Sequence, residues 1–307
     1  MSKTVLVATE KPFAPVSVKK ISEICDKAGY RLNLLEKYSD QAALLQAVKA
    51  VDALIIRSDK VTEDVLDAAK NLKIVVRAGS GYDNVDCASA AKKNIVVMNT
   101  PGQNSNAVAE LTFGLMVTLA RKQYQGKAGT ELKGKKIGIH GYGNIGKCIV
   151  KIANGFGMQI EVYGRSLTPG RPLADGAVAS QSVEDLYRNC DYISLNLPLD
   201  NATKRLISFE LLSKTKKGVT LINTARKEII DEAGLLRMME ERPDFLYASD
   251  IAPDCKEEML ERYPERCFFT LKKMGAQTFE ANLNAGIAAV RQAINYLEKN
   301  DTTFQVN

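Results

Sequence analysis

The chain has 307 residues, 45% hydrophobic and 25% charged, with 42 Lys and Arg against 36 Asp and Glu for a net charge of +6. That length suits about two domains of roughly 100–200 residues each, and the composition is that of a globular protein with a sizeable core. The longest apolar stretch, Leu111 to Ala120, falls far short of the ~20 residues of a membrane span. The basic residues are interspersed with acids and no recognition motif is present, so neither a nucleic-acid nor a membrane partner is expected.

The start, Met1 to Val7, runs straight into a strand-like pattern with no signal-peptide layout. Strands are expected at Val5–Ala8, Leu32–Leu35, Ala53–Arg57, Ile74–Arg77 and Ile95–Met98, with helices such as Ser17–Ala28 and Glu63–Ala69 between them. A long apolar helix follows, Asn104 to about Arg121, and then a polar connection, Lys122–Lys136. A second series has strands at Ile137–His140, Ile160–Tyr163, Tyr192–Leu195, Val219–Asn223, Phe245–Ala248 and Phe268–Leu271. Its helices lie near Ile145–Phe156, Val183–Asn189 and Glu232–Glu241, and a final helix runs from Glu280 to about Lys299. Two alternating series imply an α/β protein with two doubly wound parallel-sheet, Rossmann-like domains.

The six cysteines are scattered with no CxxC pair, and there is a single histidine, so no zinc site is expected and the setting is a reduced cytoplasm. The positive charge serves solubility, or a cleft that concentrates a small anion.

One motif carries chemistry. Gly141-Tyr142-Gly143-Asn144-Ile145-Gly146 follows an apolar strand and opens a helix. Gly141 allows the tight turn, Gly143 lets backbone approach a pyrophosphate, and Gly146 lets helix and strand pack closely. Backbone amides at the helix start then face the phosphates. The lone histidine, His140, stands at the mouth of this loop and reads as structural. The second strand ends Gly164-Arg165-Ser166, where an NAD site usually places an acid for the ribose 2′-hydroxyl. Without that carboxylate, Arg165 is able to pair with a 2′-phosphate. NAD is the expected cofactor and NADP is left open.

The order of motifs resembles the D-2-hydroxyacid dehydrogenases, nearest the phosphoglycerate dehydrogenase type, over nearly the whole chain. The matching segments are Ile55–Ser58, Arg77–Asp86, Asn99–Gly102, Val108–Glu110, the glycine loop, Leu197–Leu199 and Asn223–Arg226. The resemblance implies that Arg226 holds the substrate's carboxylate and keto oxygen, for which a planar guanidinium is suited. It implies that backbone amides around Ala78, Gly79 and Ser80 cradle the same carboxylate. Arg57 and Ser58 match contacts to a substrate phosphate, and Asn104 lies in a matching segment. Asp250 matches the residue that positions the nicotinamide carboxamide. Asn196, Leu197, Pro198, Thr203, Thr224, Ala225 and Gly275 complete the implied cofactor pocket.

Two departures stand out. The family's acid–base histidine precedes the last helix, and here Lys273 stands in its place. The glutamate that orients it should follow Asp250 by about five residues, where this chain has Cys255. The losses are coherent, because an imidazole needs a carboxylate to fix its tautomer and an ammonium has none to fix. Lys273 is therefore the candidate proton carrier, with burial and the charges of Arg226 and Lys272 expected to lower its pKa. The competing explanation is that Lys273 is a solvated charge and the protein inactive.

The resemblance also implies a discontinuous substrate domain, 1–98 with 280–307, around a dinucleotide domain, 99–279. A homodimer through the long helix is expected, and no regulatory domain. The expected activity is that of a D-3-phosphoglycerate dehydrogenase feeding serine synthesis. The alternatives are an NADPH-dependent D-glycerate or hydroxypyruvate reductase, and an inactive dinucleotide-sensing binding protein.

Overall fold

The structure is a computed structural model that describes residues 2–307. In chain order the elements begin β1 (Thr4–Thr9), α1 (Pro15–Lys27), β2 (Arg31–Glu36), α2 (Gln41–Ala47), β3 (Ala53–Ile56), α3 (Glu63–Ala68), β4 (Ile74–Arg77), α4 (Cys87–Lys92) and β5 (Val96–Asn99). There follow α5 (Ser105–Ala120), β6 (Lys136–His140), α6 (Asn144–Gly155), β7 (Gln159–Tyr163), β8 (Val178–Ala179), α7 (Val183–Asn189), β9 (Tyr192–Leu195) and α8 (Phe209–Leu212). The chain closes with β10 (Thr220–Asn223), α9 (Glu232–Glu241), β11 (Leu246–Ser249), α10 (Lys256–Arg262), β12 (Cys267–Phe269) and α11 (Phe279–Lys299).

These form two compact units, one ending at Asn104 and resuming at Thr278, the other Ser105–Gln277. The first change-over falls a few residues later than the sequence suggests. Thr100 N–H donates to Gly79 O at 3.0 Å and Ser80 Oγ to Asn104 Oδ1 at 2.9 Å, which keep the segment after β5 on the first unit.

The first unit has a parallel sheet in the order β2-β1-β3-β4-β5. Strands β1, β3 and β4 are almost wholly buried, as parallel strands covered on both faces must be. Helix α11 puts Ala285, Ala289, Val290, Ala293 and Ile294 against Val5, Val7, Ile55, Ile74 and Val76. Its spacing of small residues every four positions lets the helix lie close on the sheet. The order reverses between β1 and β3, so ligands are expected in the crevice beyond the carboxyl ends of those two strands. Arg57 immediately follows β3 there.

The second unit has seven parallel strands in the order β12-β11-β10-β9-β6-β7-β8. Read from β8, this is the 3-2-1-4-5-6 order of dinucleotide-binding sheets with one strand added, and its switch point lies between β6 and β9. Helix α5 is buried along most of its length, with Phe113, Leu115, Met116 and Leu119 in the core and the helix packed on α6 and on strands β10, β11 and β12.

Several short elements go beyond the sequence reading. Helices α2, α4, α8 and α10 and strand β8 have between two and seven residues, too few for an apolar period to declare itself. Strand β12 stops at Phe269, short of the expected Leu271, whose side chain is fully exposed. The connection after α5 is also not a plain linker. Lys122, Gln123 and Tyr124 all take positive φ (51°, 53° and 60°), and Gln123 Nε2 pins the turn to Pro264 O at 2.9 Å and Cys267 O at 3.2 Å. Among the described residues no helix is long and apolar enough to cross a membrane.

Candidate functional site

The glycine loop joins β6 to α6 at the switch point of the second unit. Gly141 has φ +106°, and a Cβ there would lie 2.5 Å from Asn196 O, so only glycine fits. A Cβ on Gly146 would lie 2.5 Å from Gly141 O, which enforces close packing of α6 on the loop. A Cβ on Gly143 would meet nothing within 4 Å. Its surroundings are therefore open, as approach by a pyrophosphate requires.

Above the loop is a cleft of about 580 Å³. Ten sequence-predicted residues line it: Gly141, Tyr142 and Gly143; Gly164, Arg165 and Ser166; Asn196, Leu197, Pro198 and Thr203. Asn144, Ile145 and Gly146 belong to the first turn of α6, below the cleft. Thr203 has a supporting task, since Oγ1 donates to Pro198 O at 2.6 Å and accepts from Asp200 N–H at 2.8 Å. The sequence reading missed the apolar wall of Leu167, Val183, Leu206 and Leu211. Such a wall suits the adenine ring, and because its residues come from separate segments of the chain no local pattern announces it. Arg165 is the only charged side chain on the lining, and no carboxylate is among its residues.

His140 also lines the cleft, but it is only 3% exposed, and its Nδ1 lies 3.2 Å from the Tyr187 hydroxyl. Burial pushes its pKa from 6.5 down to about 4. A neutral, buried imidazole fits the structural reading.

The second part of this unit is built around Asp250, just past β11. It is 1% exposed, and Oδ2 accepts the backbone N–H groups of Met274 at 3.1 Å and Gly275 at 2.7 Å. Burial raises its pKa, while those two amides and the charges of Lys273 and Arg226 pull the other way. Asp250 Oδ1 is buried and has no hydrogen-bond partner among the described residues. Asn196 Oδ1 is in the same condition. A carboxylate oxygen and an amide oxygen, both buried, both acceptors only and both left open, are what a ligand carrying amide or hydroxyl donors would satisfy. With the open space at Gly143, they fit a nicotinamide dinucleotide.

Arg226 is half-buried, and its Nη1 donates to Ala225 O at 2.9 Å. Thr224 Oγ1 lies 3.2 Å from Thr112 Oγ1 on α5, which docks the arginine's loop on that helix. Lys273 departs from expectation. The residue is exposed rather than buried. What the structure fixes instead is the lysine's loop, since the buried Asp250 carboxylate accepts from the two backbone N–H groups that follow Lys273. Cys255, where a glutamate was expected, has its thiol pKa raised to about 12 by burial first and then by Glu232. Its backbone N–H donates to Glu232 Oε2 at 3.0 Å.

In the first unit, Gly79 has φ +146° and its carbonyl accepts from Thr100 N–H. The Ala78 amide is already committed to Ile56 O at 2.8 Å, so it cannot cradle a carboxylate as expected. The amides of Gly79 and Ser80 donate to no backbone carbonyl among the described residues. Ser80 and Asn104 are brought together by their side-chain hydrogen bond. Arg57 is not a loose surface arginine. Its Nη1 donates to Lys11 O at 3.0 Å and Pro12 O at 3.2 Å, Nη2 bonds Asn282 Oδ1, and the guanidinium lies 5.2 Å from the Phe13 ring centroid. Ser58 is exposed and faces a polar pocket shared with Glu10, Tyr38 and Lys60.

Comparison with known proteins gives this arrangement its context. Residues 102–264 match the family described as D-isomer specific 2-hydroxyacid dehydrogenase, NAD binding domain. A hydroxypyruvate reductase of Thermotoga maritima is 35% identical over 278 residues, 85% of this chain and 90% of that protein. The D-3-phosphoglycerate dehydrogenase of Bacillus subtilis is 36% identical over 262 residues, 80% of this chain and 49% of that protein. This chain thus spans about half the length of such relatives. Among solved structures, NAD+-bound 3-phosphoglycerate dehydrogenase of Entamoeba histolytica superposes with a TM-score of 0.92 at 44% identity, over 100% of this chain and 99% of that one.

Two predictions test the glycine loop and the histidine. Gly143→Ala should leave thermal unfolding unchanged but weaken NADH binding at least tenfold in a fluorescence titration, whereas Gly146→Ala should lower the unfolding midpoint. Because the folded pKa of His140 lies below its unfolded value, its contribution is complete above about pH 6.5. It is lost as the pH falls towards about 4, with a ceiling of roughly 3 kcal/mol. Chemical denaturation at pH 7 and pH 4 should therefore show a smaller acid loss in His140→Gln than in the parent chain. Parallel losses would contradict the assignment.

Proposed function

The chain belongs to the D-isomer-specific 2-hydroxyacid dehydrogenases, and we propose that its substrate pair is D-3-phosphoglycerate and 3-phosphohydroxypyruvate. The observation that carries the proposal is the buried Asp250 carboxylate holding the backbone N–H groups of Met274 and Gly275, directly after Lys273, in the unit that also carries Arg226 and the dinucleotide cleft. The nicotinamide, when bound, supplies or accepts the hydride. Every other task falls to the chain. Arg226 holds the substrate carboxylate and polarises the keto oxygen through a planar fork of donors. Lys273, as the ammonium, gives its proton to that oxygen as the alkoxide forms, and takes one back in the oxidising direction. Asp250 Oδ1, buried and unpartnered among the described residues, would accept a hydrogen bond from the carboxamide.

Arg57 binds the phosphate. Its place beyond β3 is the switch point of the first sheet, where an anion would be held. Its guanidinium is half-buried and pre-oriented by Lys11, Pro12 and Asn282, and part of its five-donor set is left for a ligand. The backbone amides of Gly79 and Ser80 take the carboxylate. The proposal includes a role in serine synthesis in the cytoplasm. It also includes a homodimer through α5, whose outward stripe of Asn106, Glu110 and Gly114 has at Gly114 room for close approach.

A second reading has its own observation. The cleft's only charged side chain is Arg165, with no carboxylate to repel a 2′-phosphate. That favours an NADPH-dependent hydroxypyruvate reductase. Initial rates with each keto acid and each reduced cofactor separate the two. The leading reading expects the highest kcat/KM for phosphohydroxypyruvate with NADH.

Two substitutions probe the roles. Lys273→Met should reduce turnover by roughly a hundredfold or more while NADH affinity stays within about threefold of the parent. Undiminished turnover would remove the lysine from the mechanism. Arg57→Gln should raise the KM for phosphohydroxypyruvate roughly tenfold to a hundredfold, the value of a charge-assisted hydrogen bond. The KM for unphosphorylated hydroxypyruvate should hardly move, and an equal rise for both substrates would place the phosphate elsewhere.

A further inference from the structure

Resting on the reading of Arg226 and Lys273 as the reacting pair, we propose that Asn223 and Ser249 are positioning residues, the nodes of one hydrogen-bonded chain that holds both cations' loops in place. Asn223 and Ser249 are the last paired residues of β10 and β11. Beyond them the backbone ladder stops and the two strands hand over to loops. Both residues are fully buried, and their side chains continue the bonding where the ladder ends.

The chain can be followed atom by atom. Asn223 Nδ2 donates to Arg226 O at 2.9 Å, and Asn223 Oδ1 accepts from Ala225 N–H at 3.0 Å, which closes the arginine's loop into a ring. The carbonyl of Asn223 lies 2.8 Å from Ser249 Oγ, and that of Ile251 lies 2.7 Å from it, so the hydroxyl's single proton is shared between them. The same oxygen accepts from Ile251 N–H at 3.0 Å. These contacts straddle Asp250 and fix its backbone. The Asp250 carboxylate then grips Met274 and Gly275, the two residues directly after Lys273. A continuous path therefore runs from Arg226 through Asn223, Ser249 and Asp250 to the lysine's loop.

This path has a different task from the carboxylate that a histidine needs. An ammonium on a flexible four-carbon stem needs no tautomer fixed, but it does need its Cα held. Here the holding group grips the backbone of the lysine's loop. A displacement of about 1 Å in such a loop is enough to cost on the order of a hundredfold in rate. Burial of polar groups alone would require only that Asn223 and Ser249 be satisfied. The proposal demands more, namely that breaking the chain lowers turnover without comparable loss of cofactor.

The test uses the whole 307-residue chain with phosphohydroxypyruvate and NADH. Ser249→Ala should lower kcat roughly tenfold to a hundredfold, with the NADH dissociation constant within about threefold of the parent by fluorescence titration. Ser249→Thr, which keeps the hydroxyl, should recover most of the loss. Asn223→Asp keeps the shape and the acceptor for Ala225 but removes the donor to Arg226 O, and should show the same split; it decides the matter if Ser249→Ala does not fold. Turnover within about twofold of the parent in folded variants, or loss of NADH affinity in step with kcat, overturns the proposal. Arg226→Lys and Lys273→Met run alongside. If these turn over normally, the reading of the reacting pair has failed; if they do not and the node variants do, only the positioning chain has failed.

Discussion

A buried carboxylate receiving two backbone amides is the contact on which the rest of this site depends. Moving a carboxylate out of water costs several kcal/mol even after relaxation. Asp250 offsets that with hydrogen bonds to Met274 and Gly275 and with the nearby charges of Arg226 and Lys273, although burial still leaves its pKa raised. Each hydrogen bond to a charged acceptor is worth about 1.5–3 kcal/mol. One oxygen is thereby spent on the protein, and the other is buried and open to a ligand. The same group thus orders the lysine's loop and, in the proposed mechanism, keeps an acceptor for the cofactor.

The two sheets explain why chemistry collects where it does. In each, the strand order reverses once, and each reversal opens a crevice beyond the carboxyl ends of the strands. The second unit fills its crevice with the glycine loop and an apolar wall. The first places Arg57 at its own, stacked near Phe13 and tied to Asn282 of α11. The final helix therefore does more than cover the sheet, since it orients the guanidinium to which we assign the phosphate.

Local patterns were legible in the sequence, and long-range pairings were not. The strand–turn–helix context of Gly141 to Gly146 is written in consecutive residues, and the cleft forms around it. The parallel strands announce themselves as short apolar runs because both faces are buried. By contrast, nothing near Asp250 signals that it binds amides 24 and 25 positions further on. Nothing near Arg57 signals Asn282, 225 positions away. The Ala78 amide was assigned to substrate because a motif match cannot tell which backbone donors a sheet has already used. Burial of Lys273 was inferred from what its chemistry would need, and the loop after β12 leaves it exposed.

The account's central claim is that an ammonium stands where the family keeps an imidazole and carries the same proton. Chemical rescue tests it most directly. Turnover of phosphohydroxypyruvate by Lys273→Ala would be followed at rising concentrations of methylammonium, with tetramethylammonium as the control of equal charge and no proton. The account predicts a rate that climbs with methylammonium and stays flat with tetramethylammonium. Equal responses to both cations, or to neither, would contradict it.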